Sequence, residues 1–370
     1  YVVFVEKALS LLNTTGRLGF ILPHKFFNAQ YGEPLRGVIS AGKHLAKVVH
    51  FGDQQVFENA TTYTCLMFLE KAANQVVEVE KVTDLAAWRN GKPGVVGTMA
   101  DSAFTASEWN LSVGNTAELF ERLNRMPTKL VDVTSRIFQG IKTSADKIYI
   151  VEELERQPDK VRVYSREKDA EFWLEPDLLH PLIKGGDSKR YCITRTHRLI
   201  LFPYIMYENK PGLIKASDFR SRYPLSWAYL LANKSYLENR EDGRMKGDSW
   251  YGYIYPKALD VMPLPKVFTP DIAAHSAFSI DDTGDIFFTG GVAGGYGILF
   301  LPEYSREYML GLLNSRLLEW FNKQTATQMR GGYYSYEARF IRSLPIVVTE
   351  KETALHSRMV ALVEQILSLH

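Results

Sequence analysis

Arg17-Leu18-Gly19-Phe20-Ile21-Leu22-Pro23, preceded by Val2-Val3-Phe4-Val5-Glu6-Lys7-Ala8-Leu9-Ser10-Leu11-Leu12, is the stretch that decides the fold class. The first segment is apolar at almost every position and ends at a proline, the pattern of a strand buried on both faces. The second spaces its apolar residues at helical period. Asn13-Thr14-Thr15-Gly16 between them is a helix stop. A helix and a buried strand with no strand before them make up half of a doubly wound α/β sheet. The missing strands are expected upstream of Tyr1, which is not a methionine and follows no charged n-region.

Working outward, a short helix is expected around Glu33–Ser40. Strands are expected at Leu45–Phe51 and Thr61–Leu69, with a further one possible at Val76–Val82. Residues 97–114 are small and polar apart from Trp109, so a boundary is expected near 85–113. Asn115–Met126 reads as a helix capped by Asn115 and ended by Pro127. Beyond residue 130 short strands follow at Ile148–Val151, Arg198–Phe202, Lys266–Thr269 and Ile286–Thr289, then a helix over Tyr304–Thr325 and an amphipathic helix over Ser357–Leu369.

The 370 residues are 46% apolar and 23% charged, ordinary for a globular chain, and exclude a disordered, collagenous or disulfide-stapled one. No apolar run is long enough to span a membrane. Two cysteines, Cys65 and Cys192, form no CxxC and no Cys/His cluster, which fits a reducing cytoplasm and excludes a zinc module. Lys+Arg is 44 against 42 Asp+Glu, but the balance is uneven along the chain. Residues 145–183 hold 6 basic and 10 acidic side chains, net −4; residues 184–257 hold 14 and 7, net +7. The basic window also carries eleven Tyr and Trp residues. Basic residues among aromatics suit phosphate and base contacts; the same composition suits a solvated basic face over an aromatic core.

Several catalytic patterns fail. Pro176-Asp177 with Asp187-Ser188-Lys189 resembles a metal-nuclease pattern. That chemistry needs its carboxylates and lysine on adjacent strands, and Leu178–Gly186 reads as a helical turn and loop. The run Gly290–Gly297 lacks the Lys-Ser/Thr of a phosphate loop and reads as a tight hairpin or close backbone approach. The eight histidines are scattered, with no HExxH, so no metal site is expected; no GxSxG is present either.

Taken together, the residues resemble a family. Phe4–Leu12, Gly16–Pro23, Leu35-Arg36, His50-Phe51-Gly52-Asp53-Gln54-Gln55-Val56-Phe57 and Thr61–Leu69 are similar to the TaqI-like adenine-specific DNA methyltransferases, a group that includes fused restriction–modification enzymes. Ile137–Lys147, Leu182–Asp187, Leu201-Phe202-Pro203-Tyr204, Leu312-Leu313-Asn314-Ser315 and Leu344-Pro345-Ile346 resemble that group's target-recognition domain, in the same order. Two hallmarks are missing: the Asn/Asp-Pro-Pro-Tyr/Phe tetrapeptide and the Phe-x-Gly-x-Gly cofactor loop. The resemblance therefore implies an α/β chain with a partial doubly wound methyltransferase sheet (the last strands only), a mixed α/β target-recognition domain and a C-terminal helix. The expected division is 1–84, a linker and connecting helix at 85–129, the specificity domain at 130–348 and the last helix at 349–370. The specificity domain is expected to face the methyltransferase part across a cleft wide enough for duplex DNA. Such a fragment would bind S-adenosylmethionine and transfer a methyl group only together with its upstream half.

The resemblance assigns Phe57 to the aromatic that sandwiches a flipped adenine, with Pro23 and His24 near the same pocket, at the carboxyl ends of the strands. DNA contacts are expected on three loops: Gln139, Lys142, Thr143 and Lys147; Lys184, Lys189 and Arg190; and Gln328, Arg330, Tyr333 and Tyr334 around Gly331-Gly332. Gln and Arg pair bidentately with adenine and guanine, whereas Lys meets phosphate. No catalytic residue and no metal is expected in this chain. Its partners would be double-stranded DNA and the upstream half, in the cytoplasm and away from membranes. Two other readings stay open: a non-catalytic nucleic-acid-binding adaptor and, from the same aromatics, a carbohydrate-binding module.

Overall fold

A computed structural model of the chain describes residues 1–60, 62–114, 116–208, 210–350 and 353–369. They divide into two compact units. One is Tyr1–Pro127 with Trp320–Ser335; the other is Thr128–Glu319 with Tyr336–His370.

The first unit is built on a five-stranded sheet. Helix α1 (Val2–Leu11) leads into β1 (Arg17–Pro23), and α2 (Glu33–Ala41) into β2 (Leu45–His50). Then come β3 (Thr64–Glu70), β4 (Val76–Lys81) and β5 (Val95–Ala100), in spatial order β1-β3-β2-β4-β5. β3 is antiparallel to both β1 and β2, and β2 is parallel to β4, so β1, β2 and β4 all point the same way. Val5 and Leu9 of α1, Leu35 and Ile39 of α2, and Leu45, Val48, Met67, Leu69, Val77 and Val79 of the sheet form one core. Each such side chain contributes roughly 1.5–3 kcal/mol when fully buried. Arg36 is buried inside the unit, its guanidinium donating to the carbonyls of Phe26 (2.5 Å), Ala29 (2.9 Å) and Ala106 (2.9 Å). Three neutral acceptors thereby replace the lost water.

Two expectations are corrected here. β1 is buried on one face only: Leu22 is buried, while Gly19 and Ile21 face outward, with Ile21 45% exposed beside Phe68. β1 is an edge strand, and nothing among the described residues covers its outer face. Residues 85–113 are also more than a linker. They supply β5, paired with β4 along its whole length, and bury Phe104, Trp109, Leu111 and Val113 in the same core. β5 escapes sequence detection because Val95 and Val96, on opposite faces, are both exposed and Gly97, Thr98 and Ala100 leave Met99 as its one large residue turned to the core. The next helix covers Ala117–Asn124 and stacks Phe120 on Phe321 at 5.0 Å; its expected cap, Asn115, lies outside the described residues, as does Thr61.

The second unit holds a six-stranded sheet, ordered Phe287–Phe288, Leu179–Ile183, Arg198–Leu201, Ile150–Arg156, Val161–Ser165 and Ala170–Leu174. A four-stranded one runs Ser279–Asp281, Lys266–Pro270, Gly295–Phe300 and Thr134–Gln139. Leu179–Ile183 is thus a strand, where a turn was expected. The expected single helix Tyr304–Thr325 is two, Arg306–Leu313 and Arg316–Thr325. Asn314 breaks it by bonding both backbone polar groups of Phe278, and the Ser315 hydroxyl accepts the Leu318 N–H of the second helix. The last helix, Ala354–Ser368, is capped by the Thr353 hydroxyl. It presses Met359 and Val363 onto Gly311, where any Cβ would lie within 2.8 Å of the Met359 sulfur.

Most of the aromatic-rich window resolves into core, while Tyr207 and Tyr236 stay exposed. Tyr204, Tyr223, Trp227, Tyr229, Trp250, Tyr251 and Tyr253 are all buried together with Tyr149 and Phe202. Their hydroxyls bond backbone carbonyls: Tyr229 to Ile148, Tyr251 to Ile214, Tyr253 to Leu201. Arg240 is buried among them and donates to four carbonyls, those of Leu237, Thr143, Trp250 and Gly252. Among the described residues no helix is long and apolar enough to cross a membrane.

Candidate functional site

β1, β2 and β4 end at one edge of the sheet, at Pro23, His50 and Lys81, with the antiparallel β3 starting between β1 and β2. The carboxyl ends of parallel strands are where open α/β sheets place ligands. A cavity of about 370 Å³ lies there, inside the first unit. Its sheet-end wall is His24, His50 and Lys81; Phe27 and Trp109 add aromatic faces, and Lys323, Gln324, Gln328 and Tyr334 close it from the late segment. The rings of His24 and His50 stack at 4.3 Å. Burial pushes His24 down to about 4 and His50 well below the ordinary imidazole range. Both are therefore neutral at pH 7. The Gly52 N–H donates to His50 Nδ1 at 3.1 Å, so the His50 proton resides on Nε2. Burial likewise depresses Lys81.

The loop after β2 is held at both ends. Phe51 is buried edge-on against Trp88 at 5.1 Å, and Gly52 turns with φ +59°. Gln54 donates to the carbonyls of Val82 (2.5 Å) and Phe51 (3.3 Å) and accepts the Leu85 N–H (2.6 Å). Arg89 donates to the Val56 carbonyl at 2.6 Å. Between these clamps and β3 stands Phe57, 49% exposed. It is neither in the core nor in the cavity lining; of the residues expected near the target base, His24 lines the cavity and Pro23 does not.

Trp320–Ser335, from far along the chain, belongs to this same unit. Gln328–Met329 and Tyr333–Ser335 pair as an antiparallel hairpin whose tip is Arg330-Gly331-Gly332, with both glycines at positive φ. Gln328 and Tyr334 line the cavity, and the Gln328 amide oxygen approaches Gly52. Arg330 is exposed, as is Tyr333 at 48%. The third expected DNA loop and the Phe57 loop are thus brought together.

The other two loops lie in the second unit around the glycine run. Gly140, Gly185 and Gly290 approach backbone to backbone, with Gly185 N–H donating to the Ala293 carbonyl and Gly290 N–H to that of Ile141. Lys142, Lys147 and Lys189 are exposed, Lys184 and Gln139 half-buried, and Gln139 reaches the Tyr296 hydroxyl at 3.4 Å. Two expected DNA contacts are committed elsewhere. Thr143 is fully buried, its hydroxyl donating to Asp146 (2.5 Å) and accepting the Ala145 N–H. Arg190 is ion-paired with Glu319 at 2.5 Å. Asp187 of the nuclease-like pattern pairs with Arg198 and accepts the Lys184 N–H, and no group of three metal-ligating side chains occurs among the described residues.

Residues 1–57 match the family described as Eco57I restriction-modification methylase, and residues 180–346 the TaqI-like C-terminal specificity domain. Its relatives are type II restriction–modification methyltransferases, and residues 180–346 carry the TaqI-like specificity domain. It is 28% identical over 364 residues to the type II restriction enzyme and methyltransferase RM.Eco57I of Escherichia coli, covering 94% of this chain and 36% of that protein. It is 25% identical to the type II methyltransferase M.BstVI of Geobacillus stearothermophilus, over 93% of this chain and 60% of the relative. The chain thus spans between about a third and three fifths of these relatives. A structure of the type IIL restriction-modification enzyme MmeI in complex with DNA shares the fold, with a TM-score of 0.61 at 12% identity, over 100% of this chain and 44% of the other.

Sequence reasoning passed over His50, Gln54 and Lys81. His50 and Gln54 sit inside the motif that led to Phe57. Lys81 had no signal beyond its place at the end of an apolar strand.

Proposed function

We propose that this chain reads a DNA target and supports extrusion of an adenine for S-adenosylmethionine-dependent methylation in a restriction–modification or phage-defence system. The observation that carries it is Phe57, an exposed ring on the loop that leaves the carboxyl end of β2 and is clamped by Gln54 and Arg89. Extruding a base costs a few kcal/mol. Stacking on an aromatic ring returns roughly 1–3 kcal/mol of that. Arg330 and Tyr333 at the neighbouring hairpin tip would meet base edges; Lys142, Lys147, Lys184 and Lys189 of the second unit would meet phosphates.

The methyl donor supplies the methyl group when bound, but the residues present do not fit it. The chain's one glycine-rich run, 290–297, is filled by its own backbone: a Cβ on Gly294 would lie 1.7 Å from the Thr289 carbonyl oxygen. No donor-binding residue is assigned in this chain.

The test begins with selection of bound duplexes from a random library, followed by 2-aminopurine in place of each adenine of the enriched site. One position should brighten on binding. Phe57→Ala should abolish that signal while duplex affinity changes only about threefold. Arg330→Ala should relax preference at one base pair by about 1–3 kcal/mol. Absence of an enriched site, or equal brightness with Phe57→Ala, would overturn the reading.

A further inference from the structure

We infer that the cavity at the ends of β1, β2 and β4 is a nucleotide phosphate site anchored by Lys81. Lys81 lies in register with His50 across the β2–β4 pair, and its charge is felt by the His50 ring. It is half-buried, with no ion pair among the described residues. Its ammonium makes one hydrogen bond, long and weak, to the Gln324 amide oxygen at 3.5 Å. Glu78 and Glu80, the carboxylates of its own strand, are engaged by Lys47 instead. A cation withdrawn from water without a counter-ion destabilises the chain that carries it. Such a group is retained where a ligand supplies the missing charge.

The rest of the lining specifies what the anion belongs to. Lys81, Lys323 and Asp53 are its charged groups, a positive balance. Burial, with a smaller contribution from the Asp53 charge, raises the Tyr63 and Tyr334 hydroxyls. The same lining carries flat faces: the stacked His24 and His50, with Phe27 stacked on each at about 6 Å, and Trp109. Neutral imidazoles, with one proton fixed on His50 Nε2, offer hydrogen bonds without repelling a cationic neighbour. The volume, 370 Å³, falls in the range of small-ligand pockets. An ammonium for phosphate and aromatic planes for a base select a nucleotide over a bare inorganic anion. The phosphate could belong to a free nucleotide or to a DNA strand; the chemistry at Lys81 is the same.

The experiment titrates the whole chain with dAMP, inorganic phosphate and deoxyadenosine, by calorimetry and by melting temperature. Lys81→Met should weaken dAMP and phosphate by about tenfold or more and deoxyadenosine by less than about twofold. Lys81→Arg should retain dAMP binding. The ligand-free Lys81→Met chain should melt higher than the parent, which a structural lysine would not allow. A 30-base-pair duplex is the second arm. If its affinity falls with Lys81→Met alongside dAMP, the phosphate is a DNA strand's; if only dAMP suffers, the ligand is a free nucleotide. The inference is overturned if Lys81→Met binds dAMP and phosphate as the parent does, if the parent binds neither, or if the ligand-free variant melts lower. It deepens the DNA-recognition reading, but its free-nucleotide arm stands apart from the Phe57 test, so either can fail alone.

Discussion

Two lysines leave the solvent in opposite ways, one in each unit. Lys266 is 1% exposed and its three protons are all used, on the carbonyls of Met262 (2.8 Å) and Leu264 (3.2 Å) and on Asp281 (2.6 Å). Asp281 in turn accepts from Thr283, Gly284 and Ile286. Lys81 has one long contact with a neutral amide. Burial depresses both ammoniums; Lys266 is compensated by its own chain, whereas Lys81 is left open to something else. The contrast separates a charge that builds the fold from a charge that awaits a partner.

The sharpest way to break this contrast is at Lys266. Lys266→Ala strands Asp281 in the core and should lower unfolding free energy by about 3–5 kcal/mol, read by urea titration. The paired change Lys266→Met with Asp281→Leu should recover most of that loss. A single-variant loss below about 1 kcal/mol would show that water reaches Asp281 and that the two lysines are not so different.

Acid is a broader probe of the first unit's cavity. His24 titrates at about 4 folded and near 6.5 unfolded, and His50 is also depressed. Above pH 6.5 neither state binds the proton, so nothing is lost. As pH falls below 6.5 the unfolded chain takes up protons that the folded chain refuses, and stability drops until about pH 4. Each such histidine removes up to about 1.4 kcal/mol per pH unit. Urea curves at pH 7 and 5.5 should therefore differ, and His24→Asn should narrow the difference.

Smaller effects sharpen the other side. Phe57→Ala, on an exposed ring, should change stability by no more than about 0.5 kcal/mol, in contrast with its proposed effect on base extrusion. Lys142→Ala should leave melting untouched and flatten the salt dependence of duplex affinity by about one unit. A larger stability loss at either position would mean that the residue serves the fold.

The sequence was most legible where apolar residues run on almost unbroken. β1, β2 and β3 fall within a few residues of their expected places because Val48, Met67 and Leu69 are core residues in a near-continuous apolar run. β5 was missed because its two valines are both exposed and mostly small residues follow them. Aromatic composition could not say which side of the surface a ring lies on. Tyr251 and Tyr253 went inside because their hydroxyls found carbonyls, while Phe57 and Tyr333 stayed out. The expected role of Thr143 likewise depended on exposure that Asp146 and Ala145 remove. The cavity was the least legible. Lys81 and Gln324 meet across more than two hundred residues, and no local pattern records such a meeting.

The return of Trp320–Ser335 to the first unit also bears on how specificities are exchanged between relatives. The chain passes from one unit to the other three times, after Pro127, Glu319 and Ser335. A crossover at a single point near residue 128 would transplant the whole remainder, including the hairpin that floors the cavity, into a foreign sheet end. A double crossover at 128 and 319 would instead carry most of the second unit as a cassette and leave Gln324, Gln328 and Arg330 with the strands they evolved beside. Tyr336 onward would then have to suit the incoming cassette. Recombinants that keep the native hairpin should therefore survive more often than those that import one.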